Sequence, residues 1–333
     1  MVTNAELRDL LRPQGLESPG CAGCHFRELC GGFYNGRLFG NCFEELCCHF
    51  TGKDKAECNA VCPYKQDFKG WLRDTRGLRF DDLPSIEQPL IGLPTYIPLV
   101  DHRSSRREPL AWPVVALKTY SVLGVRRGSG KYQAIADTPD ALREAYRLAP
   151  ETQVVLRGVA TDPELERYWE HRITAGAPRQ LAQLNIHSAI GPNFSHFLDV
   201  PRTDHLYNKH RQLICLMELA EAGIPVVPHL NSVSPGDWTF WRRYLEVNAT
   251  VRAVAIEFQT GHKSRRQGCS VLDHLAATQT HLQRPLHLVL VGGTQFIEYA
   301  AKRFAGISLI DSTPFHKTMR RFRFDTSGPR AVW

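Results

Sequence analysis

Long apolar runs are missing from this chain: nowhere in its 333 residues does one approach the roughly 20 residues that a membrane-spanning helix needs. The opening MVTNAELRDLLRPQG lacks the apolar core of a secretory signal, so the cytoplasm is the expected location. No Gly-rich phosphate loop follows the first strand-like segment. GSGK at 128–131 lacks the G-x4-G-K-[ST] frame and reads as a hairpin or loop tip. Beyond residue 62 cysteine is scarce, with only Cys215 and Cys269. Together these absences exclude a helical membrane protein, argue against export, and leave no P-loop nucleotide site.

The other eight cysteines crowd between Cys21 and Cys62, a distribution that core packing does not produce. Their order is Cys21-x2-Cys24-x5-Cys30, then Cys42, Cys47-Cys48 and Cys58-x3-Cys62-Pro63. A C-x2-C pair lets two thiolates grip one metal centre from a tight turn, and Gly31-Gly32 lets the backbone close around it. An iron–sulfur cluster, [4Fe–4S] before other types, suits the uneven spacing and the Cys-Pro step. Zinc is the alternative, with His25 and His49 available to complete a mixed site. Disulfides are disfavoured without an export signal. Below about 70 residues a segment poor in aliphatics draws its stability from the metal. CAGCHFRELCGG also resembles the cysteine-rich extensions that hold auxiliary clusters in radical enzymes.

A hydrophobic content of 43% suffices for a full-sized core with a small satellite. The net charge of +7 is clustered, in RSSRR (103–107), VRRGSGK (125–131), HKSRR (262–266) and KTMRRFRF (317–324). Such clusters raise the local concentration of a polyanion and favour nucleic acid as a partner, although exposed loops also carry such charges.

Three parts are expected: a metal-binding module (1–65), a proline-rich linker or entry segment (66–112) and a β/α domain (113–333). Prolines at 84, 89, 94, 98, 109 and 113 forbid long helices and central strands in the second part, where PTYIPLV (94–100) could form a short strand. From Pro113 strands and helices alternate. Strands are expected at 113–120, 152–160, 183–191, 224–230, 251–258, 285–293 and 306–312. Helices are expected at 137–149, with an Asp N-cap, and at 162–172, 203–223, 236–247, 270–282 and 294–304. Apolar strands that do not alternate are buried on both faces, as in a parallel sheet covered by helices. The fold class is therefore α/β, a (β/α)8 TIM-like barrel with an N-terminal cysteine-rich module; an open doubly wound sheet is the runner-up.

In such folds the reactive groups gather at the carboxyl ends of the strands. Those positions hold Lys118, Arg157, Asn193, Asp199, His229, Asn231, Glu257, Gln259, Gly292, Gly293 and Asp311. Nearly every strand thus ends in a group that can ionise or hydrogen-bond, which a pocket explains better than chance. Asp311, Glu257 and Asp199 are the candidate catalytic carboxylates, since two carboxylates in unlike environments can divide nucleophile and acid/base work. A helix cap is the structural role open to Asp311. Phe194, Trp238, Trp241 and Phe258 could stack on a flipped base, or simply fill the core.

The stretch LHLVLVGGTQFIEYAAKRFAGISLIDSTPFHKTMRRFRF (286–324) resembles the late barrel of the tRNA-guanine transglycosylase superfamily. The matching positions are Gly292 and Gly293, Asp311 with Thr313-Pro314, and Arg320 or Arg321. The resemblance implies a barrel that exchanges a purine or 7-deazapurine base in tRNA or DNA, with Asp311 attacking the sugar carbon. The family's Asp-Ser-Gly-Gly motif and its late zinc site are absent here, so Asp199 stands as the acid/base candidate on other grounds. GPNFSHFLDVPR through IPVVPHL also resembles a bacterial and phage domain family of unknown function. Two other functions fit the same residues: an iron–sulfur redox or radical enzyme acting on a small substrate, and a non-catalytic metal-stabilised nucleic-acid-binding component.

Overall fold

The computed structural model describes residues 74–75, 85–101, 106, 108–126, 128–196, 202–233, 235–259, 264–323 and 325. The cysteine module, with Cys21, Cys24, Cys30, Cys42, Cys47, Cys48, Cys58 and Cys62, lies outside them, as does Asp199. What is described is mixed α/β, built on parallel sheets.

Strands β1 (Tyr96–Pro98), β10 (Gly306–Asp311), β9 (His287–Val291) and β8 (Ala253–Glu257) form one parallel sheet in that order. Strands β2 (Val114–Lys118), β5 (Gln153–Arg157), β6 (Ser188–Ile190) and β7 (Val226–Val227) form the other. The two sheets meet at both edges through parallel bridges, Leu99 to Ala116 and His229 to Ala255. A separate antiparallel hairpin, β3 (Leu123–Val125) with β4 (Tyr132–Ala134), carries GSGK at its tip, where Gly128 and Gly130 take φ of +96° and +66°. A side chain would strain that turn.

Helices alternate with the parallel strands: α1 (Thr119–Val122), α2 (Pro139–Tyr146), α3 (Asp162–His171), α4 (Ala177–Ala182), α5 (Arg202–Glu221), α6 (Pro235–Val247), α7 (Arg265–His281), α8 (Ile297–Ala301) and α9 (Thr313–Met319). Local chemistry sets their ends. Thr138, not Asp137, caps α2, its side chain accepting from the Ala141 N–H at 3.2 Å with Pro139 next in line. Thr161 and Glu164 form a capping box on α3. Gly223, at φ +88°, follows α5. The helix expected at 294–304 is broken, with a 3-10 turn at Thr294–Phe296 preceding α8.

Two apolar clusters hold the strands. The smaller takes alternate residues from all eight parallel strands, including Ile97, Val114, Ala116, Val155, Ile190, Val227, Ala253, Ala255, Val289, Val291 and Ile310. The larger takes the intervening residues, such as Val115, Leu117, Val154, Leu156, Val254, Leu288 and Leu309, with the apolar faces of the helices. Each fully buried aliphatic side chain contributes roughly 1.5–3 kcal/mol. This dual burial explains why the strands read as unbroken apolar runs. Membership of the core begins before Pro113: Ile86, Ile97, Leu99 and Val100 are all buried. Among the described residues no helix is long and apolar enough to cross a membrane.

Candidate active site at the strand ends

Strand alternation decides which strand-end residues share the side of the smaller cluster. Counting on by two from Leu99, Ala116, Val155, Val227 and Ala255 arrives at Asp101, Lys118, Arg157, His229 and Glu257. Two carboxylates, two cations and an imidazole thus stand at or just past the carboxyl ends of five strands. One contact joins two of them directly, and Gln259 links two more. Lys118 Nζ lies 2.9 Å from Asp101 Oδ2, joining the ends of β2 and β1. Arg157 Nη1 donates to Gln259 Oε1 at 3.0 Å, although β5 and β8 are separated by β6 and β7 in the strand order. Glu257, buried, accepts from the Gln259 backbone N–H at 2.6 Å. His316 on α9 brings its Nε2 within 3.6 Å of Asp101.

Burial lowers the pKa of the Arg157 guanidinium, while nearby Glu164, Glu257 and Asp101 hold it up. Lys118 and Arg157 stand side by side, in register on neighbouring strands. Asp101 belongs to this group although the sequence did not single it out. Its signal was present in PTYIPLVD, a short apolar run ending in a carboxylate, but prolines at 94 and 98 weakened the strand reading.

The remaining expected residues divide. Gly292 and Gly293 sit at φ +70° and +76° beside the Gln259 and Phe258 side chains, where a Cβ would come within 2.8 and 2.7 Å. Only glycine meets both demands there. Asn193 accepts from the Ala160 N–H at 2.8 Å, and Asn231 donates to the Phe194 carbonyl at 2.8 Å, so both tie loops together. His229 is buried, and its carbonyl accepts from the Gln212 amide. Arg320 and Arg321 are exposed beyond α9. Phe194, Trp238, Trp241 and Phe258 are core residues, and Trp238 stacks on His274.

Asp311 departs from the others. It follows Ile310 of the smaller cluster, so strand alternation sets it on the opposite side, with Leu309. Its Oδ1 accepts from the Thr313 N–H at 3.1 Å and the Thr313 hydroxyl at 3.0 Å, holding the turn into α9 as a capping residue does. A cavity of about 400 Å³ opens elsewhere, lined by Arg172, Pro178, Glu218 and Glu221 near the far end of α5. Among the described residues no group of three or more His, Cys, Asp or Glu side chains is placed to hold a metal ion, and Cys215 is buried apart from Cys269.

No family model, curated protein or solved structure matches the chain.

Proposed function

We propose that the eight parallel strands close into a single (β/α)8 barrel, and that its mouth exchanges a purine-like base, purine or 7-deazapurine, in nucleic acid. The observation that carries this reading is that Asp101, Lys118, Arg157 and Glu257 lie together at the strand ends, on the side of the smaller apolar cluster. Base exchange at a sugar needs one ionised carboxylate and one proton-transferring group on either side of the glycosidic bond. Asp101, with the Lys118 ammonium at 2.9 Å, is the ionised member and the nucleophile. Its oxygen bonds to the sugar carbon as the bond to the base breaks, and the electron pair leaves with the base. Glu257 delivers the proton that the departing base takes up, and recovers one from the incoming base as that nitrogen displaces Asp101. Exposed Arg320, Arg321 and Arg323 would contact phosphates beside α9.

The test is incorporation of labelled guanine or 7-deazaguanine into duplex DNA and tRNA. We expect Asp101→Asn and Glu257→Gln to lower kcat by at least about 100-fold, and Asp311→Asn to stay within about tenfold of the parent. Turnover retained in both of the first two variants would sink the assignment. Loss in Asp311→Asn alone would return the nucleophile's role to that residue.

The cysteine module is proposed, on its spacing, to carry an iron–sulfur cluster rather than zinc. Iron and sulfide analysis of anaerobically purified protein, with a reducible visible band, checks it; stoichiometric zinc in a colourless protein refutes it.

A further inference from the structure

Three lysine or arginine residues are buried among the described residues: Arg157, Lys209 and Arg211. Two of them hold a carboxylate. Lys209 Nζ lies 2.6 Å from Asp237 Oδ1, and Arg211 Nη1 lies 2.5 Å from Glu166 Oε2. Arg157, only 7% exposed, has no carboxylate in ion-pair contact among the described residues. Its single side-chain bond goes to a neutral amide, that of Gln259, and its buried Nε has no hydrogen-bond partner. Glu164, Glu257 and Asp101 favour its charge only without direct contact, and a buried charge with no bonded counter-ion is costly, so a bound anion would serve a purpose there.

The neighbours define that purpose. Arg157 is paired in register with Lys118, which sets two cations side by side on the inward side of β2 and β5. Asp101, 2.9 Å from Lys118 Nζ, offsets the lysine's charge, whereas among the described residues no carboxylate bonds Arg157 directly. Gln259 accepts one guanidinium donor without neutralising the charge, and so holds the fork in orientation while leaving it unmatched. A planar fork of this kind fits an oxyanion with two acceptor oxygens.

We infer that Arg157 is the receptor for an oxyanion carried by the substrate, a carboxylate on the base or a phosphate on the nucleotide, seated at the strand ends beside Lys118. This rests on the proposed base-exchange reading for the identity of the substrate, not for the existence of the site.

The experiment measures calorimetric affinity of the full chain for two matched pairs: 7-carboxy-7-deazaguanine against its neutral 7-cyano counterpart, and guanosine 5′-monophosphate against guanosine. In one pair the anionic member should bind at least about tenfold more tightly than the neutral one, and that pair names the source of the oxyanion. Arg157→Met should erase the preference while leaving the neutral member's affinity within about threefold. If Arg157→Met does not fold, Arg157→Lys, which keeps the charge and loses the fork, should narrow the same preference. Absence of a preference in both pairs, or a preference that survives substitution, overturns the inference. Binding is read without turnover, so the two ideas fail separately. Loss of base exchange with the preference intact removes the proposed reaction and leaves the site.

Discussion

His274 lies face to face with Trp238, ring centroids 4.9 Å apart and 6° from parallel, with its Nε2 buried and unbonded. Burial pushes its pKa down to about 4; Arg242 adds to the effect and Asp273 opposes it. In the unfolded chain the same imidazole takes its proton at the ordinary value of 6.5. Between those limits the unfolded state binds the extra proton, so stability is full above pH 6.5 and is lost as the pH falls towards 4. The contribution is on the order of 3 kcal/mol at the acid end. Urea denaturation at pH 7.5 and 5.0 should show a smaller drop for His274→Phe than for the parent; equal drops would refute the assignment. At this scale the sequence was a partial guide. Glu257 and Arg157 were legible because each ends an apolar run, whereas Asp101 follows a strand of only three residues. Asp311 looked like its peers because the pattern ISLID records that a strand ends, not which way its last side chain faces.

Elements were most legible where burial is on both sides, as in β5, β8, β9 and β10, strands of five or six residues with at least three consecutive buried positions. β7 was harder to delimit, because only Val226 and Val227 take strand geometry within IPVVPHL. How closely the elements approach one another was not legible at all. Gly158, just past β5, donates its N–H to the Ile190 carbonyl at 3.0 Å. A Cβ there would lie 2.2 Å from that oxygen and 2.8 Å from the Gly191 carbonyl carbon. Both obstacles are backbone, so neither can turn aside as a flexible side chain would. Gly158→Ala should destabilise the fold by about 3 kcal/mol, the upper range for overpacking. The readout is the urea midpoint at unchanged m-value, and a loss below about 1 kcal/mol would show that β5 and β6 can separate freely.

At the scale of the whole molecule, one of the two single-bridge seams joins the sheets between β7 and β8, where a bridge from His229 to Ala255 is the ladder contact. Gln88, from the proline-rich segment expected to be a linker, closes the other end of that seam. Its amide NH2 donates to the Val226 carbonyl at 2.7 Å and the Ala253 carbonyl at 3.0 Å. Its amide oxygen accepts from the Arg252 and Ala253 N–H groups at 2.8 and 2.7 Å. One side chain thereby extends the backbone rungs between β7 and β8, Ala255 N–H to the Pro228 carbonyl and Leu230 N–H to the Ala255 carbonyl, to the start of both strands. The Ile86 N–H, bonded to Asn248 Oδ1 at 2.6 Å, fixes the approach of the segment. In the sequence the prolines mark this stretch as a linker or entry segment, and no local pattern marks a glutamine as a surrogate strand. Gln88→Ala leaves buried carbonyl and N–H groups unpaired at the start of both strands, at about 1–3 kcal/mol for each group left unsatisfied. We expect a total loss of at least about 3 kcal/mol, against near-neutrality for the exposed neighbour change Glu87→Ala. Gln88→Glu separates packing from hydrogen bonding: it keeps the shape but, when ionised, cannot donate to Val226 and Ala253, so it should fall with the alanine variant. If glutamate instead matched the parent in denaturant midpoint, the seam would be held by packing of the segment and not by the amide.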